Sequence, residues 1–143
     1  MAQIGLLEDN VCIAKLCATM LQYAGHQVTV YDHPRTCLDA LLLRPVASEH
    51  LKNAPYQDSP AALPVDVLIL DIHLPDMDGL EVVHLLHSQP RTRSLPLIFC
   101  TAASSSDVMR ALRIAPDASF LGKPFTFQEL TSAITRALSS SRT

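Results

Sequence analysis

Short apolar segments alternate along the chain with longer segments whose apolar residues recur at helical spacing. The short segments are rich in Val, Ile and Leu, and they predict five strands, at Ile4–Leu7, Gln27–Tyr31, Val67–Leu70, Leu97–Cys100 and Ser119–Leu121. Most of these segments are continuously apolar instead of alternating, which is typical of strands covered on both faces. The pattern therefore predicts a parallel sheet.

Each predicted strand is followed by a segment that carries signals for a helix. The first helix has apolar residues at helical spacing, Ile13, Leu16, Cys17, Met20, Leu21 and Ala24, between a cap at Asp9 or Asn10 and a stop at Gly25. The later helices have start signals at Asp32 or His33 before Pro34, near Gly79, at Ser104 with Asp107, and at the capping box Thr126-x-x-Glu129. The order is therefore β-α repeated five times.

Five βα units with short connections predict an α/β sandwich of parallel strands with right-handed crossovers. Rossmann-like and flavodoxin-like architectures both fit, and the flavodoxin-like one needs only five strands, in the order 2-1-3-4-5. No G-x-G-x-x-G follows the first strand, which leads instead into Glu8 and Asp9. This acidic turn would repel a pyrophosphate, so dinucleotide binding has little support.

Composition limits the classes of partner. The chain has 143 residues, 48% of them apolar, and its 11 basic and 14 acidic residues give a net charge of −3. We expect a single domain, with no surface for nucleic acid or an anionic membrane. No signal peptide or membrane span is apparent. Four cysteines, none in a C-x-x-C pair, predict buried thiols in a reducing cytoplasm: Cys12, Cys17, Cys37 and Cys100.

Residues 44–64 interrupt the pattern before the third strand. They hold four of the ten prolines and no clear period over 21 residues, whereas connections are usually about 4 to 6 residues long. This segment could contact a partner or, in a homodimer, a second copy, as suggested by its Leu51, Tyr56 and Leu63. A disordered linker is an equal alternative, because of the prolines. We expect a domain core at about residues 2–139 and a frayed polar tail at 140–143.

Polar side chains follow four of the five predicted strands. These are Glu8 and Asp9 after the first, Asp71 after the third, Thr101 after the fourth, and Lys123 after the fifth. The carboxyl ends of neighbouring parallel strands share one edge of a sheet, where ligands bind. Three carboxylates close together must take up protons or bind a cation, and an all-oxygen ligand set suits Mg²⁺.

This set of residues suits phosphoryl transfer, in which positioning and charge neutralisation provide most of the catalysis. Asp71 follows the most apolar strand and begins a tight turn, so we expect it to lie deepest and to act as the nucleophile. Glu8 and Asp9 would hold the metal together with a backbone carbonyl of the turn after Asp71. Lys123 would supply a positive charge and Thr101 a hydroxyl donor.

In these residues the chain resembles the receiver domain of two-component response regulators. Glu8-Asp9 is similar to the family's acidic pair, Asp71 to its phosphoacceptor and Thr101 to its switch hydroxyl. Lys123-Pro124 is similar to its lysine with a cis peptide bond to proline, and Phe120 occupies the position of its rotating aromatic. The segment Asp-Ile-His-Leu-Pro-Asp-Met-Asp-Gly at 71–79 resembles the family turn D-x-x-[ML]-P-x-[ML]-[DN]-G.

The resemblance implies a flavodoxin-like (βα)5 fold, doubly wound around a parallel sheet, and a phosphorylation switch. A histidine kinase or phosphotransfer protein would present phosphohistidine to Asp71. Mg²⁺ would be held by Glu8, Asp9, Asp71 and the backbone carbonyl of His73. Inward movement of Thr101, Lys123 and Phe120 would then remodel the face of the fourth helix, fifth strand and fifth helix for a downstream protein target. Output would pass through such contacts, because a receiver core leaves no length for an output domain.

Two other functions are alternatives to this signalling role. The first is a docking module of the same fold that is not phosphorylated, against which the complete set Glu8, Asp9, Asp71, Thr101 and Lys123 argues. The second is a haloacid-dehalogenase-type phosphatase, which needs an acid two residues after its nucleophilic aspartate. Position 73 is His, so an enzyme acting on an external substrate is disfavoured. In the receiver family the side chain at position 73 influences how quickly the phosphoryl group is lost.

Overall fold

The computed structural model describes residues 2–42, 63–74, 77–102 and 105–140. Five strands are formed by Gln3–Leu7 (β1), Gln27–Tyr31 (β2), Val67–Leu70 (β3), Leu97–Thr101 (β4) and Ser119–Gly122 (β5). The helices of this part of the chain are Val11–Tyr23 (α1), Pro34–Leu41 (α2), Gly79–His87 (α3), Pro90–Arg93 (α4), Ser105–Ile114 (α5) and Phe127–Ser140 (α6). The expectations about Leu51, Tyr56, the cap at Ser104 and the last three residues lie outside the described residues.

The strands form one parallel sheet in the order β2-β1-β3-β4-β5, which confirms the predicted flavodoxin-like topology. The chain moves outward from β1 to β2 and then crosses back to β3 on the other side of β1. This reversal leaves a crevice beyond the carboxyl ends of β1 and β3. Leu7 pairs with Leu70 there, so the residues that follow both strands begin at the same level.

The core has two layers, one on each face of the sheet. Every residue of β3 and β4 is buried, as predicted for strands covered on both faces. The edge strand β2 departs from that prediction, because among its residues only Tyr31 is buried and Val30 is 43% exposed. An edge strand has a neighbour on one side only, so more of its surface stays open to solvent.

The helix signals read from the sequence are found at the helix ends. Asn10 caps α1 by accepting a hydrogen bond from the Ile13 amide at 3.1 Å. The capping box of α6 is reciprocal: the Thr126 amide donates to Glu129 Oε1 at 2.8 Å, and the Glu129 amide donates to Thr126 Oγ1 at 3.0 Å. Gly25 has a φ of 96°, a left-handed conformation that glycine adopts without steric cost. These local contacts explain why the boundaries were readable from the sequence.

The buried face of α1 is narrower than its apolar pattern predicted. Ala14, Cys17 and Leu21 are buried, whereas Leu16 is 56% exposed. Leu16 lies about 100° around the helix from Cys17, at the solvent edge of the apolar stripe. Tyr23, at the end of α1, is also exposed.

The short helix α4 was not predicted. Its Thr92 is buried and donates a hydrogen bond from its hydroxyl to the Leu86 carbonyl at the end of α3. Arg91 donates from Nη1 to the Leu41 carbonyl at 3.0 Å, which ties α4 to the end of α2. These contacts are tertiary, and four residues are too few to give a periodic signal.

One expectation about an individual side chain is corrected by the structure. Cys12 is exposed, although Cys17, Cys37 and Cys100 are buried as expected. Cys12 lies on the solvent side of the first turn of α1, away from the buried Ala14–Cys17–Leu21 face. Leu63, named above for a partner contact, is half-buried and packs against this chain's own core. None of the helices described is both long enough and apolar enough to cross a membrane.

Candidate functional site

The acidic pair after β1 divides into one buried and one exposed residue. Glu8 is only 4% exposed, and its backbone amide continues the strand pairing by donating to the Tyr31 carbonyl at 3.1 Å. Its Oε2 accepts a hydrogen bond from the Asn10 amide at 3.2 Å. Asp9 is exposed at the entrance of α1. Glu8 is therefore fixed by the end of the strand and the start of the helix.

Asp71 is buried at the end of β3, where a tight turn holds its side chain. Its Oδ1 accepts a hydrogen bond from the His73 amide at 3.1 Å. The turn is closed by Gly79, whose amide donates to the Ile72 carbonyl at 2.7 Å. A Cβ on residue 79 would lie 2.8 Å from Ile72 Cα, so only glycine allows α3 to begin this close to the turn.

Lys123 joins these two carboxylates. Its Nζ donates to Glu8 Oε1 at 2.9 Å and to Asp71 Oδ2 at 2.9 Å. Burial alone would lower the pKa of Lys123, but the hydrogen bonds and negative charges of Asp71 and Glu8 hold that pKa above its ordinary value. The peptide bond between Lys123 and Pro124 is cis. Lys123 is therefore a cation at neutral pH, placed between two buried carboxylates.

The remaining predicted residues lie along β4 and β5 beside this triad. Thr101 is 6% exposed, and its carbonyl accepts a hydrogen bond from the Lys123 amide at 3.2 Å. Phe120 pairs with Phe99 across the sheet, and the two rings stack with centroids 5.1 Å apart and an interplanar angle of 25°. Phe120 is half-buried in this arrangement. The aromatic thus lies on β5 within the neighbouring core layer.

The structure brings together Glu8, Asp71 and Lys123 of the predicted set. Within the part of the chain that is described, no three His, Cys, Asp or Glu side chains are placed together as a metal site. Mg²⁺ does not require such a cage, because it keeps several waters and is commonly bound through one or two carboxylates. The buried carboxylates Glu8 and Asp71, with Asp9 adjoining, form a donor set of oxygens. This chemistry fits Mg²⁺.

A second polar cluster lies next to Asp71 and was not predicted. His73 Nε2 is 3.0 Å from Asp107 Oδ2 at the start of α5. Arg110 binds Asp107 through Nη1 at 2.8 Å and Asp78 through Nη2 at 3.3 Å. The i, i+3 spacing of Asp107 and Arg110 was visible in the sequence. Their contacts with the turn after β3 were not, since pairing between distant elements leaves no local signal.

The arrangement can place a nucleophile beside a fixed positive charge. Asp71 lies at the carboxyl edge of the sheet and has an ammonium on one oxygen and a backbone N–H on the other. Such donors stabilise negative charge that builds up next to the carboxylate. Glu8 keeps the ammonium in place from the opposite side. This geometry suits transfer of an anionic group to a carboxylate.

The sequence matches a known protein family over most of its length. A family model, the response regulator receiver domain, matches residues 4–135. A probable transcriptional regulatory protein of Picosynechococcus sp. is 33% identical over 132 residues, which are 92% of this chain and 47% of that protein. The transcriptional regulatory protein CreB of Escherichia coli (strain K12) is 32% identical over 133 residues, 92% of this chain and 48% of that protein. The chain therefore spans about half the length of these two regulators.

A solved structure extends the likeness to the fold. The receiver domain of the sensor histidine kinase PA1611 from Pseudomonas aeruginosa PAO1 has a magnesium ion coordinated in its active site cleft. It matches with a TM-score of 0.74 and 24% identity over 96% of this chain and 98% of that one. The family model covers most of the chain, whose described strands form one parallel sheet in the order β2-β1-β3-β4-β5. The chain belongs to the response regulator receiver domain family of two-component systems.

Proposed function

We propose that Asp71 accepts a phosphoryl group from the phosphohistidine of a histidine kinase or phosphotransfer protein. A carboxylate oxygen of Asp71 forms the new bond to phosphorus as the P–N bond to the donor histidine breaks, and the imidazole leaves with the electron pair of that bond. The observation that carries the proposal is the double contact of Lys123 Nζ, 2.9 Å from both Asp71 and Glu8. It fixes a positive charge where the phosphoryl oxygens would gather.

The donors around Asp71 have separate roles in this proposal. Lys123 would turn one of its N–H groups from the Asp71 carboxylate to the phosphoryl oxygens, while Glu8 keeps the ammonium in place. Thr101, at the end of the adjacent strand β4, would donate its hydroxyl to the phosphoryl group. These contacts exist only with the modified Asp71, so they favour a second conformation of the domain.

Mg²⁺ is the proposed cofactor, as the magnesium ion coordinated in the active site cleft of the Pseudomonas receiver domain suggests. Glu8, Asp9, Asp71 and the backbone carbonyl of His73 would hold it. When bound, the ion neutralises negative charge on the phosphoryl group. The role of this chain's residues is to supply the oxygen ligands, and the burial of Glu8 keeps one of these carboxylates fixed.

The proposed output surface is the face of α5, β5 and α6. Because α4 was not predicted, α5 and α6 are the helices that the sequence analysis counted as fourth and fifth. Phe120 stacks on Phe99 beneath this face. A shift of Thr101 on β4 would act on Phe120 through the shared strand pairing and alter the surface that a downstream protein binds. The proposed role is that of a cytoplasmic signalling module of one domain, and not of an enzyme acting on an external substrate.

Binding of beryllofluoride, which mimics an aspartyl phosphoryl group, tests the proposal. Wild-type protein should bind it in the presence of Mg²⁺, with amide chemical shifts changing around residues 71, 101 and 123. Asp71→Asn keeps the shape of the side chain and should show none of these changes. Binding that is unaffected by Asp71→Asn would refute the proposal, and absence of binding by folded wild type would favour the docking module. Asp71-dependent turnover of p-nitrophenyl phosphate would favour the phosphatase.

A further inference from the structure

A chain of polar contacts, two of them Arg–Asp ion pairs, joins the turn after Asp71 to the first two turns of α5. His73 Nε2 lies 3.0 Å from Asp107 Oδ2. Arg110 Nη1 lies 2.8 Å from Asp107 Oδ1, and Arg110 Nη2 lies 3.3 Å from Asp78 Oδ2. We call these four side chains the ionic bridge. Both of its ends, His73 and Asp78, belong to the turn between β3 and α3, and its centre belongs to α5.

The ionic bridge lies at the surface, where the side chains of His73, Arg110 and Asp78 are 64%, 51% and 40% exposed, but its central carboxylate is mostly buried. The Asp107 side chain is only 15% exposed and uses both carboxylate oxygens in the bridge. Asp78 also uses both oxygens: Oδ1 caps α3 by accepting from the Leu80 amide at 2.8 Å, and Oδ2 accepts from Arg110. Arg110 is therefore held between the start of α3 and the start of α5, and it fixes the distance between them.

The ionic bridge lies close to the residues that would move in the proposed conformational change. Thr101 ends β4, and the chain enters α5 at Ser105, so Thr101 and the first turn of α5 are neighbours in sequence. In the described arrangement Lys123 Nζ donates directly to Asp71 Oδ2. Contacts between α5 and the Asp71 turn stabilise this arrangement against any in which Thr101 and α5 have moved.

We infer that the ionic bridge is a latch for the unphosphorylated state, with Arg110 as the positioning residue that closes it. The inference rests on the proposed function, because it assigns the regulation of the same site. Movement of Thr101 toward a phosphoryl group on Asp71 displaces the start of α5 and lengthens the contacts of Arg110. A variant without the contacts of Arg110 has no such contacts to lose on phosphorylation. Its conformational equilibrium therefore lies further toward the phosphorylated form.

Matched variants separate the bridge from a general charge effect. Arg110→Gln removes both guanidinium contacts. Arg113→Gln removes the same charge from the same helix, and Arg113 takes no part in the bridge although it lines the same groove between α3 and α5. Asp78→Asn removes the charge at one end but keeps the side-chain oxygen that caps α3. Loss of an arginine near the site should by itself weaken anion binding, so Arg113→Gln sets the baseline.

The test measures the dissociation constant for beryllofluoride with Mg²⁺ by calorimetry. Arg110→Gln should bind about two- to fivefold more tightly than Arg113→Gln, as expected for one or two ion pairs of this kind. Asp78→Asn should bind more tightly than Glu81→Gln, which removes the same charge from the same groove. The gains of Asp78→Asn and Arg110→Gln over their baselines should not add. Amide hydrogen exchange without Mg²⁺ should be faster at the start of α5 in Arg110→Gln than in Arg113→Gln.

The two proposals fail in different ways. If wild type binds the analogue but Arg110→Gln and Arg113→Gln have equal affinities, the latch is refuted and the phosphoacceptor function stands. Weaker binding by Arg110→Gln than by Arg113→Gln also refutes the latch, because it would mean that Arg110 supports the phosphorylated state. If wild type binds no analogue, the proposed function fails and the latch that rests on it fails too.

Discussion

Lys123 and Glu8 are 115 residues apart in sequence, and their side chains meet at 2.9 Å at the carboxyl edge of the sheet. The same ammonium contacts Asp71 at 2.9 Å. Two buried carboxylates therefore share one cation. The charge balance of the site therefore depends on Lys123.

Lys123→Met should destabilise the folded protein. It leaves Glu8 and Asp71 buried without their shared cation, so we expect the free energy of unfolding at pH 7 to fall by about 2 to 4 kcal/mol. Lys15→Met, at an exposed position of α1, should change it by less than about 0.5 kcal/mol. Urea denaturation measures both. Equal stability of the two variants would mean that the contacts of Lys123 contribute little.

The contribution of Lys123 should also disappear at alkaline pH. Burial alone would lower its pKa, but Asp71 and Glu8 raise that pKa above the ordinary value of 10.5, so the folded protein keeps the proton that the unfolded chain releases near that pH. The stabilisation is complete below about pH 10.5 and is lost as the pH rises through the folded pKa. The stability difference between wild type and Lys123→Met should therefore narrow above about pH 10.5. A difference that widens would contradict the raised pKa.

Gly79→Ala should be costly and Gly122→Ala harmless. A Cβ on residue 79 would lie 2.8 Å from Ile72 Cα, whereas nothing lies within 4 Å of one on residue 122. The clash at position 79 involves backbone, which cannot rotate away, so a loss of about 1 to 3 kcal/mol is expected. Gly122→Ala should stay within about 0.5 kcal/mol of wild type. Thermal unfolding compares them, and a harmless Gly79→Ala would show that the turn after Asp71 is less tight than described.

One of the four thiols should react with a thiol reagent in the native protein. Cys12 is exposed, whereas burial raises the pKa of Cys17 to about 11 and that of Cys37 and of Cys100 to about 12. The thiolate is the reactive form, so these three should react only after unfolding. Intact mass after brief treatment with iodoacetamide at pH 8 should show a single addition, absent in Cys12→Ser. Rapid labelling of a second cysteine would contradict the burial of the core.

The sequence predicted most of the fold because its signals are local. Continuous apolar segments such as Val67–Leu70 identify central strands, and caps such as Asn10 and Thr126 mark helix starts through contacts within four residues. The exposure of Leu16 and of β2 was not predictable in the same way. It depends on which side of each element the rest of the chain covers, and an apolar residue type alone does not determine this.

The candidate site was predictable to the extent that it lies at strand ends. Glu8, Asp71 and Lys123 converge because parallel strands share an edge, a rule that needs only the strand assignments. The contacts of Arg110 with Asp107 and Asp78 were not predictable, because they depend on the distance between α3 and α5. Gly79 sets part of that geometry by letting α3 begin against the Asp71 turn.

Chemical mapping of the phosphoryl group tests the proposed role of Asp71 most directly. The protein is incubated with acetyl phosphate and Mg²⁺ and then reduced with borohydride, which converts an aspartyl phosphate to homoserine that peptide mass spectrometry locates. Homoserine should appear at position 71 in wild type, and neither in Asp71→Asn nor in wild type without Mg²⁺. Homoserine at another position, or none in folded wild type that has received Mg²⁺ and acetyl phosphate, would contradict the assignment of Asp71 as phosphoacceptor.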